Sequence, residues 1–300
     1  MKKKEKMNKK TPYKIKRREH EAFDYSKGFM LSLLFCALSV IAYAQEFTFT
    51  KDSLVSPRTT TTSYQIGVGP NRILDTYLSA AHFRGTGFTF LATKEYDREN
   101  SKWSTLMEHQ AHISSTHDKA DKADEIEGSY NFYCGRYYRW SLFTNRLQIQ
   151  AGAMINANLG FIYNTVNGNN PAQARISLNI MPSAIAQYRF KMLHRLASVR
   201  YEVQIPLAGI MFSPNYGQSY YEIFSQGDYD HNIVPTTFVC APTFRQQLSL
   251  DLNISKRFTI RIGYLGDYQQ ASVNNLKSHI YAHRIMIGVV KRFKLISYRP

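Results

Sequence analysis

Apolar and polar residues alternate along much of the chain, and the clearest example is the stretch LQIQAGAMINANLGFIY, residues 147–163. Its odd-numbered positions, from Leu147 to Tyr163, are all apolar or aromatic, whereas Gln148 and Gln150 fall between them. A period of two residues places these two sets on opposite faces of a β-strand. The stretch is 17 residues long, whereas strands of soluble proteins typically have about 5–6. The pattern therefore predicts a long strand with one apolar and one polar face.

The same alternation predicts ten strands in all. They cover residues 60–69, 84–95, 102–115, 126–142, 146–163, 174–190, 196–206, 241–253, 257–268 and 278–293. Aromatic residues gather near the strand ends, where the two interfaces of a bilayer favour Tyr and Trp. A soluble β-sandwich is the alternative, but its strands stay short and need no such aromatic rings. Long strands in even number favour an all-β fold, an antiparallel transmembrane β-barrel in which lipid covers the apolar face and every backbone group is paired.

The predicted connectors between these strands alternate in length. Four short turns, DRENSK, TN, KMLHR and SKR, alternate with longer connectors at 70–83, 116–125, 164–173, 207–240 and 269–277. Outer-membrane barrels have short periplasmic turns and long external loops, so we expect the longer connectors on the outside of the cell. If 207–240 contains a further hairpin, the barrel has 12 strands rather than ten.

The first 44 residues differ from the rest and have the features of an export signal. A basic leader precedes the apolar run FMLSLLFCALSVIAYA, and small residues at Ala42 and Ala44 fit a signal-peptidase site, so we expect cleavage after Ala44. The run has 16 residues, fewer than the roughly 20 of a spanning helix, which argues against a retained anchor. Lipidation at Cys36 is disfavoured because this residue lies inside the apolar run, after the large Phe35. The predicted organisation is a signal peptide over 1–44, a periplasmic segment over 45–59 and a barrel domain over 60–300.

Cleavage changes the charge of the protein. Removing the 11 basic and 4 acidic residues of the leader lowers the formal net charge from +16 to +9. No basic run survives in the mature part, and an exported chain meets little nucleic acid, so we expect no nucleic-acid partner. Two cysteines remain, Cys134 and Cys240, without the spacing of a metal site. One disulfide is possible in an oxidising compartment, but two separate apolar thiols are the preferred interpretation.

Four segments carry a resemblance to a known family. They are LDTYLS at 74–79, YNTVNGNNPAQA at 163–174, FSPNYGQSYYEIF at 212–224 and MIGVVKRF at 286–293. With the signal and the barrel pattern, they resemble an uncharacterised family of outer-membrane β-barrel proteins, a domain of unknown function from Bacteroides-type Gram-negative bacteria. The resemblance covers essentially the whole mature chain and implies location and fold, but no activity. One departure from common barrel practice is that seven residues, KLISYRP, follow the terminal aromatic Phe293.

The inward face of the predicted barrel carries more charge than lipid would tolerate. The interior candidates are Arg139, Arg189, Arg200, Glu202, Arg245, Asp251, Arg261 and Arg284. Because the lumen of a barrel of this size is narrow, one interpretation is a hydrogen-bonded ion network that fills it. The other interpretation is an electropositive channel or cavity that favours anionic solutes.

The stretch FSPNYGQSYYEIF is unusually aromatic for an external connector. Connectors as long as 207–240 are usually functional, so we expect its tyrosine rings to dock on the barrel mouth or to form a lid. Together with the segments LDTYLS at 74–79 and NGNNPAQA at 167–174 it could form one pocket. The candidate ligand or lid residues are Tyr216, Gln218, Tyr220, Tyr221, Glu222, Asn169 and Asn170. The alternative is that these segments only brace the barrel mouth.

The sequence offers little support for catalysis. A lipid hydrolase needs a serine activated by a histidine, and the available residues are Ser278, His279 and His283 in one segment and His109, His112 and Ser114 in another. Neither segment has a nucleophile-elbow motif, so we expect no enzyme. The tract HDKADKADE at 117–125 has the alternating charges of a solvated loop tip, and we predict neither a metal nor a cofactor.

The sequence thus predicts an integral outer-membrane barrel that acts as a small, porin-like channel or in the uptake of a ligand. The alternative is a structural or surface-interaction barrel with a blocked lumen, and an outer-membrane lipid hydrolase is the remote alternative. The expected partners are outer-membrane lipid, the barrel assembly machinery and a small polar or anionic solute.

Overall fold

The computed structural model describes residues 58–98, 101–168, 170–192, 194–255 and 258–295. The predicted signal peptide at 1–44, the predicted cleavage site and residues 45–57 lie outside the described residues. The strands of the described part are β1 (Arg58–Asp75), β2 (Ser79–Arg98), β3 (Trp103–His117), β4 (Asp124–Leu142), β5 (Leu147–Asn164), β6 (Ala172–Met192), β7 (Arg195–Gln204), β8 (Ala208–Phe212), β9 (Ile233–Thr237), β10 (Phe244–Asn253), β11 (Thr259–Val273) and β12 (Leu276–Leu295). One short helix, α1 (Tyr220–Phe224), lies between β8 and β9. No helix in this part of the chain has the length and apolarity needed to cross a membrane.

Ten strands close into a barrel. Each pairs antiparallel with the next in the order β1 to β7, then β10, β11 and β12, and β12 pairs with β1 along nearly its whole length, from Arg58↔Leu295 to Asp75↔Ser278. No edge strand remains in this ring, so backbone donors and acceptors find partners within the sheet. The predicted all-β antiparallel barrel is confirmed. We call the end where β1 begins and β12 ends the terminal end, and the opposite end the loop end.

The remaining strands, β8 and β9, form a hairpin that extends the wall at the loop end. Strand β7 pairs with β6 up to Gln204↔Ser183. Beyond Pro206, which cannot donate a ladder hydrogen bond, β8 continues along the same edge of β6, from Ala208↔Ile180. The connector 207–240 therefore does contain a hairpin, but it lengthens the wall and the ring keeps ten strands.

The prediction of long connectors at 70–83 and 269–277 is wrong, because the strands extend into both ranges and are joined by tight turns. Strand β1 runs on to Asp75 and β2 starts at Ser79, and the β11–β12 turn is Asn274–Asn275, with φ of 51° and 60°. Two such residues suit a type I′ hairpin turn. The prediction failed because the alternation reverses here: Ile73, Leu78, Phe83, Ile162 and Ile280 pack together inside the barrel, and the outward positions are polar.

The outer surface carries an apolar band, which on β1 and its neighbouring strands lies between basic residues. On β1 the outward residues Tyr64, Ile66 and Val68 are each about half exposed, at 48%, 48% and 56%. Toward the loop end the band stops at Arg72, and toward the terminal end it stops at Thr62, whose partners are Lys94 and Lys291. Ten residues at about 3.3 Å each, on strands tilted by about 40°, give a height of about 25 Å. That is the height of the apolar band on outer-membrane barrels.

Candidate functional site

The barrel interior holds all eight of the predicted interior residues. Six of them are buried, and Arg139 and Arg189 are partly buried near the terminal end. They occupy alternate positions on β4, β6, β7, β10, β11 and β12, so the two-residue period turns each side chain inward. Their partners include residues that were not predicted from the sequence, such as Glu95 and Gln110. The sequence signal that could have identified them is that they occupy the inward-facing alternate positions of their strands.

Arg245 is the centre of the interior network. Its side chain is 1% exposed, and its Nη1 lies 2.9 Å from Oε2 of Glu108, which is equally buried. The same guanidinium donates to Oε1 of Gln110 and to Oε1 of Gln204, both at 3.0 Å, and lies over the ring of Tyr133 at 4.8 Å. These partners come from β3, β4 and β7, so Arg245 on β10 reaches across the lumen. A buried charge with this many partners is compensated rather than isolated.

A second set of ion pairs lies toward the terminal end. Arg200 contacts Glu95 at 3.0 Å and Glu202 at 3.3 Å. Arg261 holds both oxygens of Asp251, at 2.6 and 2.9 Å. The bidentate geometry of the Arg261–Asp251 pair fixes the orientation of both side chains in addition to neutralising their charges. The predicted excess of inward arginines is thus largely matched by carboxylates.

Arg284 is held differently, because it donates to neutral acceptors. These are the carbonyl oxygens of Gly69 (3.1 Å) and Pro70 (2.8 Å) and the hydroxyl of Thr89 (3.2 Å). Beside it, Nε2 of His112 lies 2.8 Å from Oε2 of Glu127. The side chain therefore ties β12 to β1 and β2 within the wall of the barrel.

The interior also contains apolar side chains. One cluster comprises Leu106, Tyr133, Tyr137, Met154, Met181 and Ile185, and another comprises Leu91, Leu265 and Met286. Together with the ion network, they pack the middle of the barrel. The alternation predicts a polar inward face, but Met154, Met181 and Ile185 share that face with the polar residues.

Two cavities lie on either side of this packed middle. A chamber of about 400 Å³ at the terminal end is lined by Arg189, Arg200 and Arg261 among others, and a cavity of about 70 Å³ toward the loop end is lined by Arg245 and several asparagines. Between them, side chains from opposite sides of the ring meet, because Arg245 on β10 and Gln204 on β7 both reach Glu108 on β3, at 2.9 and 3.4 Å. None of these three side chains is more than 1% exposed. The middle of the lumen is therefore closed by side chains.

At the loop end, the aromatic stretch 212–224 folds into the end of β8, a polar loop and helix α1. Ser219 caps the helix: its hydroxyl accepts from the Glu222 amide, and the Glu222 carboxylate accepts from the Ser219 amide at 2.6 Å. This capping box stabilises a helix of only five residues. Gln218 is buried and accepts from the side chain of Asn232 at 2.7 Å, so it holds the loop together rather than facing a ligand.

Tyr220 docks α1 on the barrel. Its hydroxyl accepts from the Ala174 amide at 2.7 Å and donates to Oε1 of Gln173 at 2.9 Å, and its ring meets Tyr77 edge-on at 5.7 Å. Burial raises the pKa of this hydroxyl to about 12, so it stays protonated as a donor. The expectation that all three tyrosines dock is wrong, since Tyr216 and Tyr221 are 73% and 66% exposed. Only every third or fourth residue of a helix can face the barrel, and Tyr220 takes that position.

An open cleft of about 570 Å³ lies beside the docked helix. One side is formed by Asn170, Pro171 and Ala172, and the other by Gly217, Ser219, Tyr220, Tyr221 and Glu222. Four of the predicted ligand residues are thus brought together here, whereas Tyr216 and Gln218 are not among the lining residues. Asn169 lies outside the described residues. The predicted segment 74–79 does not line the cleft, but its Tyr77 packs edge-on against the ring of Tyr220.

Replacing Tyr220 by serine should release the loop-end segment. The change removes ring burial worth about 1–3 kcal/mol and leaves the Ala174 amide without its acceptor. We expect limited proteolysis to cut within 213–240 much faster, while the barrel itself stays intact. Tyr216→Ser and Tyr221→Ser are the matched controls and should change little; equal sensitivity of all three variants would argue against docking through Tyr220.

The candidate catalytic residues do not form a serine–histidine pair in this part of the molecule. Ser114 and His112 both contact Oε2 of Glu127, at 2.9 and 2.8 Å, inside the barrel. His109 faces outward against Tyr130, and His279 stacks on Tyr281. Among the described residues, no group of three His, Cys, Asp or Glu side chains is arranged to hold a metal ion. Cys134 and Cys240 are both free thiols.

Several solved structures resemble the fold at low sequence identity. Neisserial surface protein A has 9% identity and a TM-score of 0.35, over 78% of this chain and 97% of its own. The transport unit of the autotransporter AIDA-I from Escherichia coli has 10% identity and a TM-score of 0.41, over 84% and 94%. An outer membrane channel from Pseudomonas putida F1 has 8% identity and a TM-score of 0.34, over 82% and 100%. Scores this low carry no argument, and the barrel rests on its own strand pairing.

A sequence family, by contrast, covers most of the chain. No curated protein sequence matches. The profile of a family described as "Protein of unknown function (DUF3316)" matches residues 31–300. The match includes every strand of the barrel and the hairpin β8–β9. The chain therefore belongs to the DUF3316 family.

Proposed function

We propose that this protein is an outer-membrane β-barrel with a closed interior, which acts through its external face rather than as an open channel. The observation that carries the proposal is the set of buried contacts across the lumen, in which Arg245 and Gln204 on one side of the ring reach Glu108 on the other. A solute would have to break these hydrogen bonds and ion pairs to pass. Separating buried charges from their partners costs several kcal/mol.

Placement in the outer membrane has support from three directions. The outward apolar band has the height of a bilayer core and ends in basic residues on both sides. The leader has the parts of an export signal. The resemblance to outer-membrane proteins of Bacteroides-type bacteria agrees with both. On this placement the loop end, with its cleft and helix α1, faces the outside of the cell.

The external face offers the features of an interaction surface. Tyr216, Tyr221 and Phe224 expose between 64% and 73% of their side chains around α1, on a segment that is itself anchored by Tyr220. Exposed aromatic residues on a rigid support are common where proteins bind partners. A surface-interaction barrel therefore fits the structure better than a porin-like one.

A channel or uptake role is the second candidate. It is favoured by the two cavities, of about 400 and 70 Å³, on either side of the closed middle. The larger one is lined by four arginines and three carboxylates. Glu95 and Asp251 are paired with two of the arginines, and the remaining surplus of positive charge favours anionic solutes. This role requires the side chains between the cavities to move.

Planar-bilayer conductance tests the closed interior. We expect the wild-type barrel to insert without conducting ions. Glu108→Ala with Arg245→Ala removes both members of the ion pair that spans the lumen, so neither is left as an unpaired buried charge. This variant should fold and conduct, which shows that the assay detects an opened lumen. Steady conductance by the wild type would contradict the proposal and favour the channel.

A further inference from the structure

Two arginines lie directly opposite each other on the outer surface. Arg72 on β1 and Arg84 on β2 are register partners, and both side chains are exposed on the outward face. Side chains in such positions have Cβ atoms about 4.5–5.5 Å apart, and like charges there are destabilising. Within the described part of the chain, neither arginine forms an ion pair with a carboxylate. An anion bound between the two guanidinium groups would relieve this repulsion.

Hydrogen-bonding and aromatic side chains surround this pair. Tyr281 on β12 is the other register partner of Arg72, and its ring stacks on His279 at 4.6 Å. The His279 ring in turn lies 5.4 Å from the ring of His82 on β2. The patch thus combines two guanidinium groups with polar rings that suit the boundary between lipid and water.

The patch lies at the loop-end limit of the apolar band. Below it, after the outward pair Pro70 and Thr86, the outward face of β1 carries Val68, Ile66 and Tyr64, and Phe88 and Phe90 lie beside them on β2. A lipid whose chains cover this band would bring its headgroup to the height of the arginines. Guanidinium groups bind phosphate through paired hydrogen bonds, which a single lysine cannot reproduce.

We infer that Arg72 and Arg84 form a binding site for the phosphate group of a membrane lipid in the external leaflet. The inference rests on the outer-membrane placement proposed above, but not on whether the lumen is closed. The lipid phosphate converts the repulsion between the two guanidinium groups into a shared attraction. Its acyl chains lie along β1 and β2, against the exposed aliphatic and aromatic residues.

Lipid binding by the barrel in uncharged detergent tests the site. Native mass spectrometry would compare retention of phosphatidic acid with that of phosphatidylcholine having the same chains. Two arginines near an anionic surface correspond to roughly a 30-fold preference. We expect the wild type to show a preference of this order, and Arg72→Gln with Arg84→Gln to lose most of it. Preference of equal size in this variant would overturn the site.

The matched control is Lys94→Gln with Lys291→Gln, which removes the same charge from the same face at the terminal end. These lysines flank Thr62 instead of facing each other, and Lys94 lies over the ring of Tyr96, so we expect less than about a threefold change. An equal loss in both double variants would mean general charge attraction and would overturn the site. The site would also be overturned if inorganic phosphate, added at the same concentration as the lipid, abolished the preference for phosphatidic acid. That result would indicate a site for the free ion.

A third variant separates lipid binding from a structural role. Arg84→Glu turns the repelling pair into an ion pair, so the thermal midpoint in uncharged detergent should rise while the preference for phosphatidic acid disappears. A fall in both would indicate that Arg84 supports the fold instead. Conductance of the wild type would refute the closed interior but leave these lipid results unchanged, so the two proposals fail separately.

Discussion

Replacing Arg245 by alanine is expected to lower the free energy of unfolding by about 3–5 kcal/mol, as for other broken buried ion pairs. The change leaves Glu108 as an uncompensated buried carboxylate. The side-chain oxygens of Gln110 and Gln204 also lose the guanidinium that donates to them. It also creates a space beside Tyr133, over which the guanidinium lies. Denaturant unfolding of the refolded barrel in micelles, followed by tryptophan fluorescence, would measure the loss.

The control removes both members of the pair. Arg245→Met with Glu108→Met keeps the volume and leaves no buried charge, so this variant should recover more than half of the stability. If Arg245→Ala alone were as stable as the wild type, water would have to reach this site freely. In that case the interior would be open, and the closed-lumen proposal would fail with it.

Replacing Ile287 by arginine should impair insertion by about 2–4 kcal/mol, the cost of an arginine near the middle of a bilayer. Ile287 is 54% exposed on the outward face of β12, in the band between Tyr281 and Lys291. An exposed isoleucine of a soluble protein would accept this change with little effect. The fraction of heat-modifiable, folded protein after refolding into lipid vesicles would measure it.

Val166 provides the matched comparison, because its side chain is 61% exposed in the loop between β5 and β6, beyond the ends of these strands. Val166→Arg should therefore refold as well as the wild type. The outward residues Val203 and Leu250 should behave like Ile287, whereas polar substitutions at the inward Gln204 and Ser249 should be milder. Equal effects at positions 166 and 287 would argue that the band faces water.

The alternation of the sequence was sufficient to predict all ten strands of the ring, because lipid on one face and a packed interior on the other impose a period of two. It failed where the surroundings change. Beyond Pro70, β1 leaves the apolar band, so its outward residues become polar while Ile73 turns inward into an apolar cluster. Because apolar residues were expected on the outward face, this part of β1 was predicted to be a loop, although β1 continues to pair with β2 and β12.

The interior was only partly predictable for a related reason. Inward positions were expected to be wet, and the inward arginines were identified correctly as a set, but their partners depend on which strands face each other across the barrel. Arg245 and Glu108 are 137 positions apart, and the sequence carries no local signal of their contact. Likewise, the docking of Tyr220 rather than Tyr216 depends on the pairing of β8 with β6, which the break at Pro206 conceals.

The central claim, that the outward band lies in lipid, can be tested by the depth of a single tryptophan. Both natural tryptophans, Trp103 and Trp140, would first be replaced by phenylalanine, and one tryptophan introduced at Ile287. After refolding into vesicles whose lipids carry bromine at known depths, the fluorescence should be quenched most strongly by bromine near the chain ends. Quenching by a water-soluble quencher with no effect of any brominated lipid would contradict the account.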